Sequence, residues 1–364
     1  MKKLLLFLVL IPALILALGV GLIYAGLMPA GFYDLADSYA PPAVLDVLQK
    51  IGDAGQSGGE ETSLSDDGAA SSSEPGLRQA EPAYIMQRVV EGIHAQNEEI
   101  KIPLLLPDGD DEAVTAFFLN AVERSIDTIR REMPEIFWVS LGTFGVEWSG
   151  NRDSKEALLT VRLKYSYSPG KVADLREEMR RIIDVLMYSA PPEPVDAVTY
   201  FHDWIALHTE YATYIAEADG AFRQDYGYGL NINGVFLRGS AICEGYSKAF
   251  KLLCDRAGIP CEIIFGVADG ENHSWNYVRL DGIWYLVDCT WNSPVSDEKI
   301  IRHDYFLKGS QSIVEGKTIA EIYTNDGAGY PPLSPAGYFE QDFLRPLAAL
   351  RVVPQFPSRF CRWL

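Results

Sequence analysis

The pair Asp281-Gly282, which stands between two runs of alternating apolar residues, constrains the fold of this chain more than any other feature. An Asp-Gly pair in that setting is a strong signal for a β-hairpin whose two-residue turn fixes the register of its strands. The pattern therefore predicts a hairpin in which Leu280 lies opposite Ile283.

That register has a chemical consequence at the open end of the hairpin. It places Asp288 opposite Trp275, and His273, two residues before Trp275, then projects from the same side of the sheet as Asp288. Diagonal neighbours of this kind lie about 7–8 Å apart, within reach of long side chains. The hairpin alone thus predicts an imidazole paired with a carboxylate, which orients the ring and favours its protonated form.

A cysteine stands at the predicted start of the helix before this hairpin. The run from Ser240 to Cys254, ended by Gly258, has a helical pattern with Ser240 as the expected N-cap, so Cys243 falls in the first turn. There the unpaired N–H groups and the positive end of the helix dipole favour a thiolate. Cys254, about three turns further on, is interpreted as a small buried hydrophobe.

Each of these residues alone has an ordinary explanation: a core cysteine, a polar residue at a strand edge, an aspartate in a turn. Together, and in the order Cys243, His273 and Asp288, they predict a triad in which a thiolate attacks, an imidazole moves the proton and a carboxylate holds the ring. The backbone N–H of Cys243 is an expected donor to the oxyanion of such a reaction.

The same stretch resembles the transglutaminase-like superfamily, whose fold is related to that of papain-type cysteine peptidases; bacterial, exported members carry similar runs. The motifs that carry the resemblance are Ala241-Ile-Cys243-Glu-Gly-Tyr246, Gly258-Ile259, His273-Ser-Trp-Asn276 and Leu280-Asp-Gly-Ile-Trp-Tyr-Leu-Val-Asp288-Cys-Thr-Trp291. A looser likeness continues in Phe201-His-Asp-Trp204, Tyr211 and Asp304-Tyr-Phe-Leu307. Cys289 is a departure, since many relatives have proline there.

The resemblance implies Cys243 as the nucleophile, His273 as the base and Asp288 as the residue that orients it. It also implies a side-chain donor to the oxyanion, upstream of the cysteine. The candidates for that donor are Tyr228, Asn231 and Asn233, and the sequence leaves the choice among them open.

The sequence predicts an α+β fold in five segments. Residues 1–33 are predicted to be a signal anchor or a cleaved signal peptide, and 34–81 a juxtamembrane segment with a flexible acidic Gly/Ser linker. Residues 82–193 are expected to form an N-terminal α/β module for packing or substrate positioning. Residues 194–310 are expected to be the transglutaminase-like (papain-like) catalytic domain, with the helix-start cysteine packed on an antiparallel sheet, and 311–364 a C-terminal tail of unassigned role.

Local patterns also predict individual elements before the catalytic stretch. Helices are expected over 111–131, with Asp110 or Asp111 as cap, over 172–188 and over 195–214. Strands are expected over 136–148 and 157–167, joined by a turn at 149–151.

The N-terminal segment predicts attachment to a membrane. Lys2 and Lys3 precede a long uncharged stretch, and residues 4–25 exceed the roughly 20 residues that a bilayer span needs. The lysines favour a cytoplasmic N-terminus and export of the rest. We therefore expect a single-pass cell-membrane protein with an extracytoplasmic catalytic domain, or a secreted protein if the segment is cleaved.

Charge and cysteine content exclude several classes. A net charge of −19 argues against a nucleic-acid partner. Five cysteines, an odd number without CxxC spacing, argue against a disulfide framework and a zinc ribbon. No cofactor is expected, because the histidines do not group with cysteines at metal-ligand spacing and no EF-hand loop is visible.

The function predicted from these features is cysteine-dependent acyl transfer on protein or peptide amides, through a thioester that passes to water or to an amine. The alternative is a non-catalytic peptide- or wall-binding module on the same fold. Its groove would be lined by four aromatic residues: Trp275, Tyr277, Trp284 and Trp291. Aromatic residues at strand spacing, however, more often belong to a core.

Overall fold

The computed structural model of this chain describes residues 77–216, 227–295 and 300–340. The predicted signal anchor or signal peptide (1–33) lies outside these ranges, as do most of the predicted linker (34–81) and the end of the predicted tail (311–364). Within the described ranges, no helix combines the length and the apolar character that crossing a bilayer requires.

The elements follow one another in the order helix, strand, helix, two strands, two helices, and then the sheet-rich C-terminal part. The described α-helices are α1 (Pro82–His94), α2 (Asp111–Glu132), α3 (Pro169–Ser189), α4 (Pro194–His208), α5 (Thr213–Ala216), α6 (Cys243–Arg256) and α7 (Ile319–Ile322). The described strands are β1 (Glu99–Leu105), β2 (Val139–Asn151), β3 (Glu156–Tyr165), β4 (Glu210–Tyr211), β5 (Ser240–Ala241), β6 (Cys261–Ala268), β7 (Glu271–Leu280), β8 (Ile283–Val287), β9 (Phe306–Lys308), β10 (Ile313–Val314), β11 (Lys317–Thr318) and β12 (Tyr323–Asn325).

Helix α2 begins where the sequence predicts a cap. The Asp110 backbone is extended, and its Oδ1 accepts a hydrogen bond from the Ala113 N–H at 2.9 Å, which satisfies one of the free N–H groups of the first turn. Val114, Phe118 and Ile129, which lie on one side of the helix, are fully buried. Of the two predicted caps, Asp110 is therefore confirmed.

The β2–β3 hairpin is longer than the sequence predicts. Its ladder continues to the pair Asn151–Glu156, so the residues predicted as a turn, 149–151, belong to β2, and the turn is formed by 152–155. The ring of Trp148, near the end of β2, packs on Phe118 of α2. This packing outweighs the turn propensity of Ser-Gly-Asn, because strand preference depends on tertiary contacts. Strand β1, which pairs with β3, was not predicted.

Helix α4 ends at His208, before the predicted end at 214. Thr209 is extended, and the next two residues form β4, which runs parallel to β5. The Glu210 N–H donates to the Gly239 carbonyl and the Ala212 N–H to the Ala241 carbonyl. These interstrand bonds replace the helical ones and carry the chain directly to the start of α6.

The C-terminal part is built on an antiparallel sheet of order β12-β6-β7-β8-β9, with α6 packed against it. Apolar residues of α1–α4 and of the N-terminal sheet share one core with α6 and β6–β9. A second, smaller apolar cluster contains Ile264, Trp275 and Tyr323. The α+β architecture predicted from the sequence is confirmed, while the boundary predicted at 193/194 stays a prediction.

Candidate active site

Cys243 is the first residue of α6, but its helix is not capped as predicted. The N-cap is Ile242, in extended conformation, and no side chain caps the helix. Ser240, the predicted cap, pairs with Glu210 in β5 instead, because the short parallel ladder extends past it. The prediction of Ser240 as cap is wrong, whereas the position of Cys243 in the first turn is confirmed.

Gly245 lets the start of α6 lie directly against the backbone of residues 227–231. A Cβ at this position would stand 2.6 Å from the Gly229 carbonyl oxygen, closer than real Cβ atoms come. The Ile242 N–H donates to the same carbonyl at 2.9 Å. The glycine two residues after Cys243 is therefore a packing requirement that holds the thiol-bearing turn in place.

The predicted hairpin is present in the predicted register. Leu280 pairs with Ile283, and the turn residues Asp281 and Gly282 both have positive φ, 52° and 82°, as this type of two-residue turn requires. At the open end of the hairpin, the His273 Nε2 group and Asp288 Oδ2 are 2.8 Å apart. The pairing of imidazole and carboxylate follows from the register, as expected.

The Asp288 carboxylate is almost completely buried, with 1% of its surface exposed. Its Oδ2 accepts hydrogen bonds from the His273 ring and from the Tyr323 hydroxyl, the latter at 2.8 Å. Its Oδ1 accepts from the backbone N–H groups of Thr290 (2.9 Å) and Trp291 (3.1 Å). Four donors thus compensate the loss of water around this carboxylate and hold it in one orientation.

The thiol of Cys243 and the ring of His273 interact, and each shifts the pKa of the other in the direction that favours its charged form. Burial raises the pKa of the Cys243 thiol, but the interaction with His273, together with hydrogen bonds from Ser274, outweighs it, and the net pKa is lowered. Burial lowers the pKa of His273, but Asp288 and the Cys243 sulfur raise it to about 10. These directions favour a thiolate beside an imidazolium at neutral pH.

Aromatic rings surround the imidazole. Trp291 stacks on His273 with ring centroids 5.1 Å apart and an angle of 24°, and Trp275 and Tyr323 lie at 6.1 and 6.5 Å. Rings in these positions keep water from the His273–Asp288 hydrogen bond, and a stacked indole favours a protonated ring. Trp275 and Tyr277 are core residues, whereas Trp284 and Trp291 are only partly buried.

Tyr323 is a site residue that sequence reasoning missed, because it belongs to the segment predicted as a tail. Its strand, β12, pairs with β6, so that Thr324 lies opposite Val267 and Asn325 opposite Gly266. A Cβ on Gly266 would stand 2.1 Å from the Thr324 carbonyl oxygen. Glycine within a strand pattern signals a close backbone approach, and Gly266 was the one available signal for β12.

The residue after Cys243, Glu244, is also buried and was not singled out from the sequence. Arg130 of α2 donates to both of its oxygens, at 2.9 and 2.6 Å, and Lys248 Nζ lies 3.0 Å away. Burial raises the pKa of Glu244, but Lys248 and Arg130 lower it to about 2. Arg130 also covers the ring of Phe265 at 4.1 Å, so the N-terminal part of the chain contributes to the surroundings of Cys243.

The three candidates for the side-chain donor to the oxyanion differ in their hydrogen bonds. The Asn231 amide donates to the Gly227 carbonyl at 2.8 Å and accepts from Lys248. The Asn233 amide donates to the Tyr167 hydroxyl at 2.9 Å. The Tyr228 hydroxyl bonds to that of Tyr214. All three candidate side chains therefore have hydrogen-bond partners within the protein.

Among the described residues, one group has ligand atoms spaced as metal ligands can be: His202, Asp203 and His303, within 4.8 Å of one another. Sequence reasoning missed it because His303 is 100 residues downstream. Both rings approach the same oxygen, Asp203 Oδ1, at 2.8 and 2.7 Å. These separations are those of hydrogen bonds, so proton donors account for the group.

The described cysteines other than Cys243 are Cys254, Cys261 and Cys289, and all three are free and buried. Cys254 is fully enclosed, which confirms its interpretation as a small buried hydrophobe. Burial raises the pKa of each of these thiols.

Comparison with known proteins adds a family likeness to this geometry. Residues 186–289, which include the three site residues, match the family model described as the transglutaminase-like superfamily. Kyphoscoliosis peptidase of Homo sapiens is 33% identical over 106 residues, or 26% of this chain and 15% of that protein. The Mus musculus protein of the same name is 26% identical over 144 residues, or 36% and 21%. The chain thus matches at most about a fifth of the length of these relatives.

A solved structure described as a TGase is similar with a TM-score of 0.29 and 17% identity, over 59% of each chain.

Proposed function

On the premise that residues 186–289 are a transglutaminase-like domain, we propose that this chain catalyses cysteine-dependent acyl transfer on protein or peptide amides. The observation that carries the proposal is the 2.8 Å hydrogen bond between His273 and Asp288, together with the interaction of the same ring with the helix-start thiol of Cys243, whose pKa it lowers. A core cysteine has no need of such an arrangement, while a nucleophile that forms a thioester does.

In the proposed reaction, the Cys243 thiolate attacks the carbonyl carbon of the amide. The negative charge that develops on the carbonyl oxygen lies at the start of α6, where the Cys243 N–H and the helix dipole stabilise it. The His273 imidazolium gives its proton to the leaving nitrogen, the C–N bond breaks, and a thioester remains. Water or an amine then loses a proton to His273, attacks the thioester and releases the thiolate.

Asp288 keeps the ring of His273 in the orientation that these transfers need. With Nε2 held by Asp288, the other ring nitrogen, Nδ1, is the one that faces the thiol. Tyr323 and the amides of Thr290 and Trp291 support the carboxylate in turn. Hydrolysis corresponds to the "peptidase" in the names of the human and mouse relatives; transfer to a lysine amine corresponds to crosslinking.

The first test is the pH dependence of alkylation by iodoacetamide. Because the pKa of Cys243 is lowered, we expect a fast phase that persists well below pH ~8.5, where an ordinary thiol reacts slowly. Cys243→Ala should remove this phase, and Cys289→Ala, which removes a buried thiol of raised pKa, should leave it. Slow and equal alkylation of all thiols would instead support the alternative, a non-catalytic peptide- or wall-binding module.

The second test identifies the acceptor. The purified protein is incubated with a biotin-labelled amine and a glutamine-rich protein, and the products are analysed by mass spectrometry. Incorporation of the amine identifies a transferase, and shortened chains identify a peptidase. Turnover should fall as the pH rises through about 10, since His273 then loses the proton that the leaving nitrogen needs.

We further propose that the N-terminal segment attaches the chain to the cell membrane with the catalytic domain outside the cytoplasm, as Lys2, Lys3 and residues 4–25 predict. Two measurements test this: resistance of the protein to alkaline extraction from membranes, and digestion of the domain by protease added outside intact cells. Recovery in the soluble cytoplasmic fraction would contradict it.

A further inference from the structure

The turn that follows Asp288 is fastened to the rest of the protein by one fully buried residue, Asn292. Its N–H donates to the Asp288 carbonyl oxygen at 3.2 Å, and its own carbonyl oxygen accepts from the Arg302 N–H at 2.8 Å. The same turn carries the N–H groups of Thr290 and Trp291 that bind Asp288 Oδ1. Whatever fixes Asn292 therefore also fixes two of the four donors to the carboxylate.

The side chain of Asn292 is held in one orientation by its neighbours. Its Oδ1 lies 3.0 Å from the backbone nitrogen of Tyr305. A backbone N–H can only donate, so Oδ1 is the acceptor. The amide nitrogen must then point the other way, where it lies 3.0 Å from Nε2 of His202 in α4. Since the amide donates, Nε2 of His202 has to accept.

This contact fixes the proton of His202 on its other nitrogen. Nδ1 lies 2.8 Å from Asp203 Oδ1 and donates to it, so one tautomer satisfies both sides of the ring. The ring is completely buried and packs on Phe306, with centroids 4.6 Å apart. Burial lowers its pKa, although Asp203 acts in the opposite direction. A second proton would set an N–H of His202 against the N–H of Asn292.

We infer that neutral His202 is a positioning residue for the acyl-transfer site: through Asn292 it holds the turn whose amides keep the Asp288 carboxylate aimed at His273. The inference rests on the proposed function for its chemical meaning, but its geometry is independent of any substrate. His202 has no hydrogen bond to Cys243 or His273; its link to the site is the contact with Asn292 of the turn, and the charge of Asp288 also acts on its ring.

This role also explains why the spacing of His202, Asp203 and His303 resembles that of metal ligands. A metal on Nδ1 of His202 would leave the proton on Nε2, and a ligated histidine needs an acceptor for that proton. Asn292 offers a donor there, and it cannot turn round without losing the Tyr305 N–H. The three side chains therefore form a proton-donor network that stabilises the required tautomer.

The test compares two substitutions of His202 in the full chain. His202→Gln retains an acceptor that can reach Asn292, and His202→Leu has none. Ser293→Ala is the matched control, because the Ser293 hydroxyl joins the same turn to the same helix, at 3.0 Å from the Ala206 carbonyl oxygen, without involving Asn292. Alkylation of Cys243 is measured against pH, with kcat and KM for an amide substrate and the urea midpoint of each variant.

For His202→Leu we expect the alkylation midpoint to rise by about one pH unit, because a loosened Asp288 no longer sustains the imidazolium beside the thiolate. We expect kcat to fall about tenfold at unchanged KM. His202→Gln should recover most of both, and Ser293→Ala should change neither. Equal shifts in His202→Leu and Ser293→Ala at matched stability would overturn the inference, as would stoichiometric zinc in the purified protein.

Should His202→Leu not fold, Asn292→Ala removes the same contact from the other side of the hydrogen bond. We expect a similar rise of the alkylation midpoint. An unchanged midpoint in folded Asn292→Ala would contradict the inference. Because alkylation needs no turnover, a protein without amide activity whose midpoint still shifts would refute the proposed function and leave the positioning role intact.

Discussion

Two buried imidazoles of this protein each lie 2.8 Å from an aspartate, yet they favour opposite charge states. At His273, burial lowers the pKa, but Asp288 and the Cys243 sulfur raise it to about 10. At His202, burial also lowers the pKa, and the adjacent Asp203 does not offset it. The same chemical pair thus gives an imidazolium at one position and a neutral ring at the other.

The two rings differ in the group that faces the second ring nitrogen. For His273 it is a thiol that can ionise, so a proton on the ring gains a second negative partner. For His202 it is the amide N–H of Asn292, which repels a second proton. Asp203 is moreover shared with the half-exposed His303. An aspartate neighbour orients a buried imidazole and favours its protonated form, and the group on the far side of the ring adds to that attraction or opposes it.

The largest expected effect comes from removing the ionisable partner. Cys243→Ala should abolish amide turnover, a loss of at least about 10³-fold. It should also lower the pKa of His273 from about 10 towards its usual value, because the attraction to the thiolate is gone. NMR titration of the ring measures this, with Cys289→Ala as the control; a pKa that stays near 10 would contradict the comparison.

Removing the charge of the Asp288 carboxylate should reduce turnover nearly as much as removing the thiol. Asp288→Asn retains the shape of the group but no longer favours the imidazolium or the required tautomer, and we expect kcat to fall roughly 10²- to 10⁴-fold. The pKa of His273 should fall and the fast alkylation phase should move to higher pH. Asp281→Asn, which alters a carboxylate in the turn of the same hairpin, should leave both unchanged. A low-pH alkylation phase that survives in Asp288→Asn would show that Asp288 is not its cause.

A smaller loss of turnover is expected from removing the hydroxyl of Tyr323, the hydrogen-bond donor in β12. Tyr323→Phe removes one of the four hydrogen bonds to Asp288 and leaves the ring packing intact. Hydrogen bonds to charged groups contribute about 1.5–3 kcal/mol, but the remaining donors retain most of the orientation, so kcat should fall about tenfold. Tyr305→Phe, in the same aromatic cluster, is the control. Turnover of Tyr323→Phe at the level of the wild type would mean that the backbone amides alone hold the carboxylate.

The smallest effect on turnover is expected from substituting His303, the half-exposed residue that shares Asp203 with His202. His303→Gln removes a half-exposed partner of Asp203, and exposed ion pairs contribute about 0–1 kcal/mol. The tautomer of His202 should persist through Asn292, and turnover should change less than about twofold. The ¹⁵N shifts of the His202 ring report the tautomer directly. A change of tautomer in His303→Gln would show that the contact with Asp203, and not the one with Asn292, fixes the tautomer of His202.

Local sequence patterns account for the central chemistry of the site. The Asp281-Gly282 turn sets a register over a few residues, and that register brings His273 to Asp288 without help from the rest of the fold. The start of α6 at Cys243 is equally local, although its cap is Ile242 and not Ser240. These features were predictable because turn geometry and helix periodicity act between near neighbours in the chain.

What surrounds the triad was decided by tertiary structure. Tyr323 reaches Asp288 only because β12 pairs with β6, Arg130 reaches Glu244 across 114 residues, and His202 reaches Asn292 across 90. Gly266 signals a close backbone approach, but no pattern in the sequence identifies the partner, because pairing between distant elements leaves no periodic trace in either segment. The sequence determined the pairing of His273 with Asp288 and the helix-start position of Cys243, and the packing of distant elements determined the further hydrogen bonds that hold these groups.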